Sequence, residues 1–525
     1  MEKRKLPAGR QHSQGRCGSF PLKWKIQSPG GRVESVEQYL DVCAPFGKKS
    51  GMPETGNETS PEPTTSAPSE AEAKMRRRRP WLILCGLFIL GLGVLGWLMF
   101  FHDDPPPDDA DLIPQWSERG GKANPLAVFC DAISTSNIDL AWWPFLQKIR
   151  REDKPMPVAE KAALLEAHRA ELDTLQVLLR TDPVTWQWPD AALMATYGTD
   201  FSPPYSKRLL PLASAHLMQA EVLAQEGKLE EAVQVCLANH RLGSGLLHAE
   251  GRLHCIFLSN IIHRMALARL QETLALSDAK PALLRHCLED LAREPSAARD
   301  GLDFSLRVDY TWYKGAMPKT SNLELQGFSD SPERMRGHMR LFFKPNRTLT
   351  LKARRTRRLM DGLAHGWKAG LLAERTNVQE ADGWYATRLT WRKYTIPNYA
   401  GTSLILFNGH MDSEVSRSLK NLTSRRQLLL MLALRLHELE RGSLPGELEA
   451  LVPGYLPAVP VDEYSGGPMK WDATRQVLYS VGENFTDDGG ALSLERPNFA
   501  KDLGAIYWWS DLPVPLNPPI GKPAP

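Results

Sequence analysis

The chain has 525 residues, a formal net charge of +3 at pH 7, 42% hydrophobic residues and 24% charged ones. That length exceeds one compact core and predicts two or three folded units joined by linkers. The composition excludes a collagen-like or wholly disordered chain, and the small net charge argues against a dedicated nucleic-acid binder.

Residues 1–74 carry little to bury. The tract MPETGNETSPEPTTSAPSEAEAKM is built from Pro, Ser, Thr and Glu, so this part is expected to be a disordered cytoplasmic segment. Met52 and Met75 stand as alternative translation starts, which N-terminal sequencing of the native protein would distinguish. The strongest signal follows in residues 75–102. Pro80 to Phe101 is a run of 22 residues with no charge and no strongly polar side chain. At about 1.5 Å per residue it reaches about 33 Å, enough for a bilayer core. Trp81 and Trp97 lie near its ends, where amphipathic rings suit the headgroup layer.

Lys74 and Arg76 to Arg79 precede the run, while Asp103, Asp104, Asp108, Asp109 and Asp111 follow it. Positive charge stays on the cytoplasmic side, so the N-terminus is expected inside and the bulk of the chain on the periplasmic side of the plasma membrane. The run is longer than the usual h-region of about 7–15 residues and no A-x-A-like site follows it, so it reads as an uncleaved signal-anchor. Residues 80–101 are thus expected to have the membrane as partner. Residues 103–115 then read as a stiff acidic stalk, because Pro105 to Pro107 cannot continue a helix.

Helical patterns fill residues 116–424. Val158 to Leu179 alternates apolar residues at helical intervals with strong helix formers. Leu209 to Gly243 reads as two helices broken at Gly227 and resembles a single tetratricopeptide unit, where a solenoid needs at least three. Phe343 to Leu359 concentrates Lys344, Arg347, Lys352, Arg354, Arg355, Arg357 and Arg358. An exported topology removes nucleic acid as a partner for it, leaving a solvated helix face, with anionic headgroups or an acidic partner as the alternative. Cys130, Cys236, Cys255 and Cys287 fall outside the membrane and allow either one or two disulfides or buried free thiols.

No catalytic motif stands out. His240, His248, His254 and His263 lack metal-ligand spacing, and HELER at His437 lacks the second His of H-E-x-x-H. Ser244 lies outside a G-x-S-x-G frame. There is no Walker loop, and carboxylate pairs such as Glu230 with Glu231 read as surface charge.

Several signals agree in residues 425–510. A strongly apolar helix runs to about Glu440 and Gly442 stops it. A short helix between proline breaks follows, then two strand-like pieces, VDEYSGGPMKW and QVLYSVG, and the acidic run ENFTDDGG. The order of Gly442, Pro445, Leu451, Tyr455, Leu456, Pro457, Pro460, Asp462, Gly466, Pro468, Tyr479, Ser480, Gly482 and Asn484 resembles the C-terminal module of type II secretion major pseudopilins over about 75 residues. The chain as a whole is similar to membrane-anchored bacterial proteins with helical ectodomains. It departs from a pseudopilin in four ways: no leader-peptidase frame precedes the span, no Glu stands in its first turn, over 300 residues separate the span from the module, and Glu463 replaces the Pro after Asp462.

The resemblance implies calcium held by the acidic loop. Asp487, Asp488 and Asn484, with Asp462 or Ser465 brought close by strand pairing, supply oxygen ligands of the type Ca²⁺ takes. The alternative is an Asn/Asp/Gly turn closing a hairpin. Of four N-x-[ST] sequons (Asn57, Asn346, Asn421, Asn484), glycosylation of the last would conflict with calcium. The expected fold is mainly α, with a single transmembrane helix, a helical ectodomain, a small C-terminal α+β module and a Pro-rich tail at 511–525. The expected role is a non-enzymatic, envelope-anchored interaction or scaffold protein serving secretion or surface assembly, with protein partners the sequence does not identify. An exported hydrolase built from scattered residues is the alternative, and a cytoplasmic helical adaptor is a third reading.

Overall fold

A computed structural model describes residues 22–27, 33–38, 70–100, 102–116, 124–136, 138, 156–189, 204–275, 279–293, 298–316, 343–386, 398–407, 413–490 and 503–506. It divides into two units, Met1–Ile83 and Leu84–Pro525.

In the first unit, β1 (Leu22–Gln27) and β2 (Val33–Gln38) pair antiparallel, Leu22 opposite Gln38 and Gln27 opposite Val33. This corrects the expectation of disorder throughout 1–74. LKWKIQ alternates apolar and polar residues, and the intervening SPGG supplies turn chemistry. The low-complexity tract before Glu70 and the tail at 511–525 lie outside the described residues.

Helix α1 (Glu70–Phe100) is 31 residues long and begins ten residues before Pro80. Glu, Ala and Lys, all good helix formers, carry it there. Its apolar side chains are exposed on every side, Phe88 and Ile89 each by 67%. Among the described residues no helix is long and apolar enough to cross a membrane. In α1 the described side chains are Trp81 and the run Ile83–Met99; those of Leu82 and Phe100 lie outside that set.

The second unit is mainly helical. In chain order it contains α2 (Pro125–Ser134), α3 (Val158–Ala167), α4 (Arg169–Leu179), α5 (Pro204–Gln225), α6 (Leu229–His248), α7 (Leu253–Ala275), α8 (Pro281–Ala292), α9 (Ala298–Ala316), α10 (Pro345–Ala364), α11 (Trp367–Ala386), α12 (Tyr399–Phe407) and α13 (Glu414–Arg441). The helix expected over 158–179 is broken at His168, whose ring reaches Glu171 at 3.5 Å. The break between α5 and α6 falls at Gly227, which adopts φ +79°, a conformation glycine takes without penalty. α6 and α7 pack closely because Gly243 faces His263; a Cβ on that glycine would meet the His263 backbone at 2.9 Å.

The C-terminal strands β3 (Lys470–Asp472), β4 (Val477–Ser480) and β5 (Leu503–Ile506) form one antiparallel sheet in that order. Gly442 ends α13 with φ +77°, its N–H bonded to Glu438 O at 2.7 Å. The expected boundary at 424/425 falls inside α13, and one core crosses it. Leu428 to Leu434 and Leu436 are all buried, packed with residues of α5 to α8 on the helical side and with Leu448, Leu451, Leu456, Met469 and Leu478 on the other. A stretch apolar all round, as Leu428 to Leu434 is, must be enclosed all round, so α13 joins the bundle to the sheet.

The two charge runs also differ from expectation. Residues 102–116 lie against the body and form no free stalk. Leu112 is fully buried, Tyr310 donates its hydroxyl to Asp109 at 2.7 Å, and Lys314 pairs with Asp109 at 2.8 Å. Arg357 binds both carboxylate oxygens of Asp111. The basic run is not simply a solvated face: Lys352 pairs with Asp309 at 2.6 Å, Arg358 with Glu380 at 2.8 Å, and buried Arg355 donates to Asn377 O. Acidic and basic runs about 240 residues apart neutralise one another, with Asp111 to Arg357 separated by 246 positions.

Candidate functional site

The acidic loop expected to hold calcium is closed by protein groups. Asn484 donates to Asp488 Oδ2 at 2.6 Å and accepts from the Thr486 N–H at 3.0 Å. Asp487 accepts from the Gly489 N–H at 2.9 Å and pairs with the Lys470 ammonium. The Lys470 hydrogen bond, helped by that N–H, holds the Asp487 carboxyl below the usual range. Arg475 donates to Gly489 O. Lys470 thus sits on a carboxylate oxygen that a metal would need, and Arg475 on a carbonyl of the same turn.

Asp462 serves a different site. It is 2% exposed and accepts from Ser480 Oγ at 2.7 Å and from the Val481 and Tyr464 N–H groups at 3.1 Å. It pins the 462–467 loop to the end of β4. The structure therefore brings Asn484, Asp487 and Asp488 into one turn and commits Asp462 elsewhere. Among the described residues no group of three His, Cys, Asp or Glu side chains is arranged to hold a metal.

Glu483, beside this turn, was not singled out from the sequence. It accepts from Ser416 Oγ at 2.6 Å, pairs with Lys420 at 3.0 Å, and its carbonyl accepts from Arg375 at 2.6 Å. Burial pushes its carboxyl up, but the Ser416 and Lys420 hydrogen bonds outweigh that and hold it low. Glu374 on α11 completes the joint by accepting from the first N–H groups of α13, Val415 at 2.9 Å and Ser416 at 3.2 Å. A lone Glu carries no spacing signal, so only the fold reveals this pair.

The second candidate is a cleft of about 1430 Å³ walled by residues 110–115, the 182–184 turn, α6, the end of α8, α9 and the end of α10. Helix α6 turns His240, Ser244 and His248 toward it, because residues four apart share a face. Asp290, Arg241 and Arg299 also line it. The 182–184 turn approaches α6 closely because Gly245 has no side chain; a Cβ there would meet the Trp186 ring at 2.6 Å. Trp188 Nε1 donating to Leu246 O at 3.3 Å fixes the same strap.

Three histidines of α5, α6 and α7 are buried, and of these His240 reaches the cleft wall. His240 is 3% exposed and stacks edge-on against His263 with centroids 4.5 Å apart. Burial, then His263 and Arg425, drive the His240 pKa well below its ordinary value. Burial and Arg425 lower His263 to about 3, and burial lowers His216 to about 4. All are neutral imidazoles at physiological pH. Neither nitrogen of His240 makes a hydrogen bond, so His240 is not coupled to Ser244 or to a carboxylate as a general base requires. The cysteines Cys130, Cys236, Cys255 and Cys287 are buried thiols, and burial raises Cys236 and Cys287 to about 12. Thiols so protonated are poor nucleophiles.

Compared with protein-family models, curated proteins and solved structures, the chain matches none.

Proposed function

We propose that the chain is a single-pass, membrane-anchored binding protein of the cell envelope, with its helical body outside the plasma membrane. The observation that carries this reading is the contrast around α1. Its apolar side chains are uncovered on every side, while the body has a closed core of its own. A helix apolar all round needs an apolar environment, and Pro80 to Phe101 supplies 22 uncharged residues for one. Basic residues before the run and acidic ones after it support the orientation.

The cleft is the reading's binding site. Its size exceeds the roughly 300–1,000 Å³ of small-molecule pockets, which favours a polymeric or protein partner. Kinship with the pseudopilin C-terminal module belongs to the same reading. It is supported by the sequence of α13, left-handed Gly442, the 448–451 turn, the β3–β4 hairpin and the acidic turn. For that turn we favour a structural role, since Lys470 and Arg475 occupy its acceptors.

The test is alkaline extraction of membranes from cells expressing the full chain, followed by protease added to spheroplasts. The expected result is retention in the pellet and digestion of the body from outside. Release into the supernatant, or a body protected in spheroplasts, would overturn the reading. A hydrolase is the second reading, favoured by Ser244 and His248 on one wall with Asp290. Covalent labelling of Ser244 by a fluorophosphonate would establish it.

A further inference from the structure

The same contacts that abolish the stalk fix where the body stands. Lys344 Nζ donates to Leu98 O at 3.3 Å, at the end of α1. The Asp103 carboxylate accepts from the Asn346 N–H at 2.8 Å and the Arg347 N–H at 3.2 Å, capping the N-terminus of α10. The Asn346 side chain donates to Asp104 O at 2.8 Å. Three of four consecutive residues, 344 to 347, are thus bonded to residues that bracket the end of the apolar run.

We propose that the first turn of α10 is a lipid-contact surface on which Arg347 meets phospholipid headgroup phosphates. The inference rests on α1 being the membrane span. If it is, Phe101 closes the hydrocarbon region, and Asp103 stands two residues further on, about 7 Å at full extension. The headgroup layer on each side of a bilayer is roughly 5–7 Å deep. Asp103 therefore falls within that layer, and the backbone it grips falls there too. Lys344 is buried against the helix end, whereas Arg347 is exposed and carries a guanidinium suited to phosphate oxygens. Further along α10, Arg355, Arg357 and Arg358 already have protein partners. Arg347 is the exposed cation on the turn nearest the span, while Arg354, also exposed, stands two turns further along α10.

The test places a benzophenone photo-crosslinker in the full chain in native membranes, in separate variants Arg347→p-benzoylphenylalanine and Trp97→p-benzoylphenylalanine, with phospholipid adducts read by mass. Arg347 is exposed, so the substitution leaves the core intact. Lipid adducts at both positions are expected, with a several-fold loss at 347 alone when Asp103→Ala releases the clamp. Adducts at 97 with none at 347 would overturn this inference and leave the anchor standing. No adduct at either position would overturn the anchor itself and this surface with it.

Discussion

Helices α1 and α13 carry the same sequence signal and meet opposite surroundings. Each contains a stretch apolar on all sides, Trp81–Met99 in α1 and Leu428–Leu434 in α13, yet the described side chains of the first are uncovered while Leu430, Leu432 and Leu434 are fully buried. The difference lies in what interrupts the apolar run. α13 places Arg425, Arg426, Arg435 and Glu438 among its leucines, and each has a protein partner: Leu291 O for Arg425, Glu463 for Arg426, and one another for Arg435 and Glu438. α1 places nothing of the kind between Trp81 and Met99. An apolar stretch with paired charges around it is built into the protein core, and the one without them keeps its described side chains uncovered.

The same substitution in the two helices should break different things. Leu432→Arg buries an unpaired charge in the shared core, a cost beyond the roughly 5–15 kcal/mol that holds a domain together. No cooperative thermal transition is expected. Leu87→Arg with Leu90→Arg should leave the melting of the body unchanged. Each Arg costs about 2.5–3.5 kcal/mol at the centre of a span, so membrane retention should fall by about a thousandfold or more on alkaline extraction. Retention of that double variant would remove the distinction between the helices.

Smaller truncations sharpen it. Leu430→Ala should destabilise the body by roughly 4 kcal/mol in urea unfolding, because its site is enclosed and collapses poorly. Leu90→Ala should change the same measurement by less than about 0.5 kcal/mol, since that side chain packs on nothing in the body.

Acid should act on the body and not on α1. His216, His240 and His263 are held neutral in the folded body, with pKa values below the ordinary 6.5. The unfolded chain takes up protons below pH 6.5 where the folded one does not, so stability falls as pH drops toward the folded values. Between pH 6.5 and 5.5 the loss is roughly 2–3 kcal/mol if all three contribute, and His263→Gln should flatten the curve. The run from Pro80 to Phe101 has no carboxylate, amine or imidazole, so membrane retention should not change over that range.

How much of this was legible in the sequence follows from the range of each interaction. Gly227 and Gly442 were readable because a left-handed glycine acts within one turn of its helix. The mainly helical character followed from periodicity over 10–20 residues. The acidic segment read as a stalk because its partners, Tyr310, Lys314 and Arg357, lie some two hundred or more residues away. β5 was missed because four residues, Leu503–Ile506, carry no period of their own and are fixed by pairing with β4. The cleft was invisible for the same reason: His240, Ser244 and His248 share a helix, but Asp290 and Arg299 arrive from others.

The smallest expected effect concerns the acidic turn, and it separates two accounts of why that turn is folded. Ca²⁺ needs six to eight oxygens at about 2.3–2.6 Å. Binding at Asp487 would have to displace the Lys470 ammonium, and Asp462 would have to abandon Ser480 and Val481. Calcium at 1 mM should therefore raise the melting temperature of the full chain by less than about 1 °C, since stabilisation requires a Kd well below the ligand concentration. Lys470→Ala frees Asp487 and should increase the response if the oxygens are otherwise well placed. A rise of several degrees in the unaltered chain, lost in the Asp487→Ala/Asp488→Ala double variant, would show instead that the lysine yields to the metal. The turn would then join the calcium-holding loops its sequence resembles, and the module would be held by a removable ion in place of a fixed side chain.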